Sequence, residues 1–561
     1  MSPSAERTCF VGSSRCDRVA DSAFWTVLCL ATAFSALQIL LYKFGRDQGV
    51  FAVVADTMLS GGMPYRDAWD FKPPGIFFVY ALAQVVFGPH EWSIRVVQVC
   101  AFLSLIPIMG VLAKRFFGDA RIGWVGGALA LWIEAQLEFW HSGQPEAFGG
   151  VLALGGLAVS THPAVHVEKK ISWKPLSILF LAGGLFGTAG LMKPHILGVA
   201  AAAAIHAAWH ARASGTPTRK QLAAFFTVVA GTCCTVGACA LWFVVRGAWP
   251  DLYQTLFVFA PGYAMTTWRL DYFAIYCHNA AELLVAGYSS ILPIGLILSV
   301  ALGPRSTRER EGMWLLIAAC LPQVLGIAVQ SKFYPYHFGS AIPFCALLAA
   351  PGLWKAWQRS KNISVAGPLM FFCALWFAAI ARTASTNFRE SFYARSWKRT
   401  AQLFADYRHE PDAATDSLYN MAEVNYRDNL NLAEWIVRHT EPLDTTMVWG
   451  FEPHVYFASR SRRPATRFIY NVPQRSNWDN KWARDTLMED IRRSSPAVVA
   501  VEHGDVFSWM TGNNMDSAQA LKGFPELNKW MDNYEIVENI GSYDIYVRRN
   551  GSNRRTQRLG Q

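Results

Sequence analysis

Apolar stretches of membrane-spanning length recur along this chain, at residues 24–43, 94–113, 122–140, 147–162, 175–191, 195–210, 221–245, 280–302, 312–330, 338–354 and 364–381. Hydrocarbon leaves backbone N–H and C=O groups without water, and runs of this length meet that constraint as α-helices whose bonds close internally. About eleven transmembrane helices are expected. The 561-residue chain is 52% hydrophobic and 16% charged, which is apolar enough for repeated spans but too charged to be membrane throughout. A soluble part is therefore expected beside the bundle.

The formal net charge of +10 does not point to nucleic acid, because the lysines and arginines fall in short clusters between apolar runs. The basic connections lie at Lys114-Arg115, Glu168-Lys169-Lys170, 212–220, 305–310 and 355–361, at every second loop. The positive-inside bias puts these loops and the N-terminus in the cytosol. Arg7, Arg15 and Arg18 precede the first apolar run as in a signal peptide, but no small-residue cleavage site follows, so this run reads as a retained first helix. All eleven cysteines precede residue 382 and none has CxxC spacing, so neither disulfides nor a zinc site are expected.

The segment at 75–88, GIFFVYALAQVVFG, has fourteen residues and reaches about 21 Å as a helix, against a hydrocarbon core of about 30 Å. It reads as a re-entrant or interfacial helix. A full span here would also move every later basic loop to the outside. With this topology, loops 46–72, 141–146, 193–195, 246–279 and 331–337 all emerge on the outer face. After residue 381 the hydropathy falls. Residues 382–550 read as an extracytoplasmic α/β domain, with strands near 447–449, 497–501 and 543–547 and helices near 430–438 and 485–493. Residues 551–561 read as a disordered tail, and 1–381 as the membrane domain.

The first outer loop carries the densest chemistry: Arg46, Asp47, Asp56, Arg66, Asp67, Asp70 and Lys72 alternate with apolar runs. Asp47 opens a helix ending at Gly61-Gly62, a position that suits a capping carboxylate or a catalytic one enclosed by spans. Lys72 is stiffened by Pro73-Pro74, with Gly75 allowing entry to the short helix. A fixed ammonium at headgroup level serves either as a snorkelling anchor or as a partner for phosphate. Lys193, His195, Tyr336 and His337 form a candidate polar rim, and residues 246–279 a candidate cover.

The pattern DQGVFAVVADTML-GG-PYRDAWDFKPPGIFF, with VFG and Ile94-Arg95 after it, resembles the first outer loop of polyprenyl-phosphate-dependent glycosyltransferases of the GT-C superfamily. The nearest group is the bacterial RgtA/B/C/D-like and aminoarabinose transferases, related to protein O-mannosyltransferases. Pro145-Glu146, Met192-Lys193-Pro194-His195 and Phe333-Tyr334-Pro335-Tyr336-His337 fall where such enzymes place them, and the sequence from Trp449 to Tyr470 resembles the start of their outer domain. The resemblance implies a GT-C membrane fold in which Asp47 is the acid that deprotonates or orients the acceptor. It implies that Lys72 contacts the donor phosphate, joined by Lys193, His195, Tyr336 and His337. Many relatives have Asp-Glu where this chain has Asp47-Gln48, so a second acid is expected at Glu146, with Glu138, eight residues earlier on the same helical face, as the reserve. Arg46, Arg66 and Asp70 are expected to support the site.

The implied activity is transfer of a sugar from a polyprenyl-phosphate donor to a lipid or polysaccharide acceptor, less readily a protein, with inversion at the anomeric carbon. No cofactor and no protein-bound metal are expected, a divalent metal being left open, and membrane lipid is a partner. The implied location is a bacterial inner membrane, with the outer domain in the periplasm. Three other classes remain: a transporter or flippase, which predicts broken helices in paired halves; a ligase for pyrophosphate-linked glycans; and a scaffold in which Asp47 and Lys72 form a structural ion pair.

Overall fold

The computed structural model describes residues 13–165, 173–213, 215–363, 366–381, 390–406, 412–420, 425–460 and 463–549. The basic connection at 168–170, the residues directly after the 381 boundary and the tail at 551–561 lie outside the described residues.

In chain order the membrane part runs α1 (Ser13–Leu40), α2 (Arg46–Leu59), α3 (Gly75–Phe87), α4 (Glu91–Phe116), α5 (Ala120–Gln136), α6 (Glu138–His141), α7 (Pro145–Ser160), α8 (Trp173–Met192), α9 (Leu197–Ala213), α10 (Thr218–Val245), α11 (Trp249–Tyr253), α12 (Ala260–Met265), α13 (Phe273–Ala286), α14 (Ile291–Ala301), α15 (Thr307–Gln330), α16 (Ile342–Ser360) and α17 (Ala366–Ala381). Among the described residues α1, α4, α8, α10 and α15 are each long and apolar enough to cross a membrane unaided. Trp314, Leu241, Ile297 and Phe377 project from different helices at 61–68% exposure, a surface that only lipid covers without cost. The chain is an integral membrane protein.

The α3 helix has thirteen residues, about 20 Å of rise, and leaves Leu82, Val85 and Val86 57–67% exposed along one edge. It is too short to span, as its length predicts, and lies beside α2 in the first outer loop. The expected single span at 280–302 is corrected. The chain breaks between α13 and α14, where the Ser289 hydroxyl accepts the Ile291 N–H at 3.3 Å. Hydropathy missed the break because its four residues, Gly287-Tyr288-Ser289-Ser290, scarcely lower the apolar average of the window.

Ion pairs mark the two ends of the bundle. At one end Lys361 reaches Asp21 at 2.8 Å and Lys355 reaches Glu309 at 2.8 Å. At the other, the loops after α1, α6, α8, α12 and α15 meet each other.

Beyond the membrane part, a five-stranded sheet is ordered β2-β1-β3-β5-β4, from β1 (Thr445–Trp449), β2 (Arg463–Pro464), β3 (Val498–Glu502), β4 (Tyr534–Ile540) and β5 (Tyr543–Arg548). The first three are parallel, while β5 runs antiparallel to β3 with Val499 opposite Tyr546. The three strands read from sequence are the inner ones, β1, β3 and β5. The edge strands β2 and β4 escaped because β2 has two residues and the middle of β4 is exposed on both faces.

This outer domain is docked on the first loop. Trp69 N–H donates to Arg467 O at 2.7 Å, and Arg46 pairs with Glu452 at 2.8 Å. At Gly49 a Cβ would come within 2.9 Å of the His454 backbone nitrogen, so only glycine lets α2 approach the outer domain this closely.

Candidate active site

Gly45, in extended backbone, opens α2. The Gln48 side chain accepts the Gly45 N–H at 2.9 Å and donates to Ser142 O at 2.6 Å, tying the first turn to the loop between α6 and α7. Asp47 is thereby held in the first turn, where the helix end favours a carboxylate. Its Oδ2 accepts from Gln144 Nε2 at 3.0 Å and lies 3.7 Å from Lys72 Nζ, with 27% of the side chain exposed to the cavity.

Lys72 is positioned from three sides. The Tyr65 hydroxyl donates to its carbonyl at 2.8 Å, Pro73-Pro74 follow it, and a Cβ on Gly75 would fall 2.7 Å from the Leu191 backbone. The loop is thus clamped against the outer end of α8. The Lys72 ammonium stands 3.3 Å from the Tyr336 hydroxyl and 4.7 Å from the centre of that ring. Burial pulls its pKa down, but Asp47, Glu146 and Asp70 together outweigh burial and leave it above the ordinary value.

Glu146 is fully buried and pairs with Lys193 at 3.0 Å, and Lys193 also reaches Gln330 at 3.3 Å. Burial lowers the Lys193 pKa against the opposing pull of Glu146. His195 is pushed down to about 3 by burial and by Lys193, and burial with the neighbouring lysines holds His337 well below its usual range. Both imidazoles are neutral at neutral pH, so lysines carry the positive charge here. Asp70 accepts from the Tyr470 hydroxyl of the outer domain at 2.7 Å, and burial raises its pKa to about 6 against the pull of Lys72.

These groups surround one cavity of about 1380 Å³. Arg46, Asp47, Asp70, Lys72, Lys193, His195, Tyr336 and His337 all line it. Toward the membrane its wall turns apolar, with Leu191, Val236, Ala240, Leu256, Phe257 and Leu283; toward the outer domain it is roofed by Phe451, Tyr470, Phe507 and Trp509.

Three expected site residues lie elsewhere. Glu146 sits behind Lys193 and does not line the cavity. Arg66 chelates Asp67 and donates to Arg246 O at 2.9 Å, away from the cavity. Glu138 does not share a helical face with Glu146. It takes a positive φ of 63° after α5 ends, and it is buried in an ion pair with Arg395 at 3.3 Å and another with Arg399.

Sequence reasoning missed Gln144, although it adjoins the Pro145-Glu146 motif, and it missed the roof residues, which only the fold brings near. It also passed over the work of Arg95. That fully buried guanidinium donates to Lys43 O at 2.7 Å, Tyr42 O at 3.3 Å and Ser142 Oγ at 3.0 Å, tying the exit of α1 to the loop that carries Gln144. Among the described residues no group of three or more His, Cys, Asp or Glu is arranged to hold a metal ion.

No family model matches the sequence, and no curated protein matches it. The fold does match solved structures. ArnT from Cupriavidus metallidurans bound to undecaprenyl phosphate superposes with TM-score 0.53 at 15% identity, over 93% of this chain and 97% of that one. The apo state of the same protein gives TM-score 0.54 at 15% identity, over 94% and 98%. The Archaeoglobus fulgidus oligosaccharyltransferase, in complex with zinc and sulfate, gives TM-score 0.43 at 12% identity, over 93% and 73%. The chain has the fold of ArnT along nearly its whole length.

Proposed function

We propose that this protein is an integral-membrane glycosyltransferase that takes a sugar from a polyprenyl-phosphate donor and gives it to a lipid or polysaccharide acceptor on the outer face of a bacterial inner membrane. The observation that carries this reading is one cavity with an apolar wall toward the membrane and a lysine–carboxylate pair at its polar end. An amphiphile with a phosphate head fits that polarity, and the ArnT structure was solved with such a lipid bound. At about 1380 Å³ the cavity exceeds the usual 300–1,000 Å³ of a single-ligand pocket, leaving room for a second substrate.

In this mechanism Asp47 accepts the proton of the attacking hydroxyl while the acceptor oxygen bonds to the anomeric carbon. The bond from that carbon to the phosphate oxygen breaks, its electron pair leaves on phosphate, and Lys72 stabilises the charge that develops. Lys193 and Tyr336 support the phosphate, and neutral His195 and His337 supply hydrogen bonds. Glu146 is a positioning residue that holds Lys193, and Gln144 orients Asp47. The reaction needs no cofactor. The positive-inside bias supports an N-terminus in the cytosol, with the loops of the site and the outer domain on the periplasmic side.

One observation favours a second reading. Lys72 and Asp47 are near enough to act as a structural ion pair, in which case the protein is a scaffold. The break between α13 and α14 is a feature that a transporter also shows, but a transporter needs breaks in paired halves. Transfer of radiolabelled sugar from a panel of polyprenyl-phosphate sugars, by wild type and Asp47→Asn reconstituted with an envelope extract, tests the reading. Transfer by wild type alone supports it; equal transfer by both removes Asp47 from the mechanism, and transfer by neither with every donor points to the scaffold.

A further inference from the structure

The cations around the cavity are not equivalent. Lys72, Lys193 and Arg46 each face a carboxylate: Asp47 at 3.7 Å, Glu146 at 3.0 Å and Glu452 at 2.8 Å. Lys332 also lines the cavity, and among the described residues no carboxylate lies within ion-pair distance of it. Its ammonium is 2.7 Å from the Thr266 hydroxyl, 3.5 Å from Trp509 O and 4.3 Å from the centre of the Tyr263 ring. Burial lowers its pKa to about 8, the mark of a half-buried cation with no counterion among the described residues.

Lys332 is also set apart by its backbone. Ser331 and Phe333 on either side take positive φ values of 51° and 50°, left-handed backbone that side-chain-bearing residues rarely adopt. Two such residues around one lysine fix where it projects, and strain of this kind clusters at ligand clamps. The Ser331 hydroxyl is tied to that of Thr267 at 2.8 Å, which holds this loop to the end of α12.

Between Lys332 and Lys72 stands a wall of three tyrosines. Lys72 lies over Tyr336; Tyr336 stacks on Tyr334 at 5.7 Å; the Tyr334 and Tyr263 hydroxyls are 3.4 Å apart; and Lys332 lies over Tyr263. The cavity therefore has two cationic poles with an aromatic partition between them. The Lys72 pole adjoins Asp47, and the Lys332 pole is closed by Trp509 of the outer domain.

We propose that the Lys332 pole is the acceptor subsite, that it binds a saccharide carrying a phosphate or carboxylate, and that Tyr263 and Trp509 pack against the sugar ring. An ammonium without a counterion selects an anionic group, and flat aromatic faces beside it suit a sugar ring. The acceptor is then an anionic glycan or the anionic sugar head of a lipid, and the outer domain is part of its binding site. This inference rests on the glycosyltransferase reading for the word acceptor, but the binding site itself stands apart from it.

The test measures binding of glucose 1-phosphate, glucuronate, glucose and undecaprenyl phosphate to detergent-purified full-length wild type, Lys332→Met, Lys332→Arg and Lys72→Met. Wild type should bind the two anionic sugars at least tenfold more tightly than glucose. Lys332→Met should lose that preference, Lys332→Arg should keep most of it, and both should bind undecaprenyl phosphate as wild type does, whereas Lys72→Met should weaken undecaprenyl phosphate and spare the sugars. Equal loss of undecaprenyl phosphate and anionic sugars in Lys332→Met would assign Lys332 to the donor phosphate and overturn the proposal, as would equal binding of charged and neutral sugars by wild type. Sugar selectivity at Lys332 in a protein that neither binds undecaprenyl phosphate nor transfers sugar would sink the glycosyltransferase reading and leave the anionic-sugar site standing. Repeating the transfer assay with lipid and polysaccharide fractions of the envelope, each before and after phosphatase treatment, separates lipid-borne from polymer-borne acceptors.

Discussion

The Lys72–Asp47 pair is loose, at 3.7 Å with Asp47 27% exposed to the cavity, whereas the Lys193–Glu146 pair closes to 3.0 Å with Glu146 wholly buried. Both pairs join an outer-loop lysine to a carboxylate in the first turn of a helix. The difference lies in access. Asp47 keeps a face toward the cavity, where the proposed mechanism has it exchange its lysine partner for a reacting group, while Glu146 sits behind the cavity wall against Lys193. In the proposed mechanism, similar residue types thus take a chemical role in one pair and a positioning role in the other.

Removing the exposed acid is expected to give the largest effect. Asp47→Asn should lower turnover about 10²–10⁴-fold, the usual contribution of a positioned general base, and leave the melting temperature near wild type. Rates and thermal scans on the same preparation check both halves, and a parallel fall in the two would make Asp47 structural.

Breaking the sealed pair should reverse the pattern. Lys193→Met strands Glu146 as a buried charge and should cost about 3–5 kcal/mol of stability, while the double change Lys193→Met with Glu146→Leu should recover much of the loss. Thermal unfolding in detergent measures this, and a stable Lys193→Met variant would show that the pair does not hold the fold.

Asp70 sharpens the comparison from outside either pair. Its folded pKa of about 6 lies above the unfolded value, so the folded state holds the proton more tightly and this residue's contribution is complete below about pH 4. That contribution is lost as pH rises through about 6. The melting temperature of wild type minus that of Asp70→Asn should therefore be larger at pH 4 than at pH 8. A difference that grows with pH would mean that Asp70 is a stabilised carboxylate.

The smallest effect is expected from Tyr470→Phe, which removes one hydrogen bond to Asp70 and should cost about 1 kcal/mol. It should also move the Asp70 midpoint upward, because the hydroxyl favours the ionised form.

Much of this was legible because membrane physics reads directly from a chain. Segment length alone fixed the short α3 helix, and the alternation of basic loops put the chemistry on one face. The Pro73-Pro74-Gly75 run marked Lys72 because those residues restrict the backbone wherever they occur. Glu138 was misplaced for a local reason: helical periodicity does not register that α5 ends two residues before it, at Gln136. The roof of the cavity was not legible at all. Tyr470 meets Asp70 across 400 positions and Arg46 meets Glu452 across 406, and no pattern along the chain reports such contacts. Lys332 lay within a loop already marked as polar, but that no carboxylate among the described residues pairs with it is visible only in the folded chain.

Those two long contacts also set an order in time. Translation at about 5–20 residues per second separates the emergence of Arg46 from that of Glu452 by roughly 20–80 s. For that interval Arg46, Asp70 and Trp69 are already made while their partners Glu452, Tyr470 and Arg467 have yet to be translated. A nascent chain thus carries the floor of the cavity long before it carries the roof that completes it.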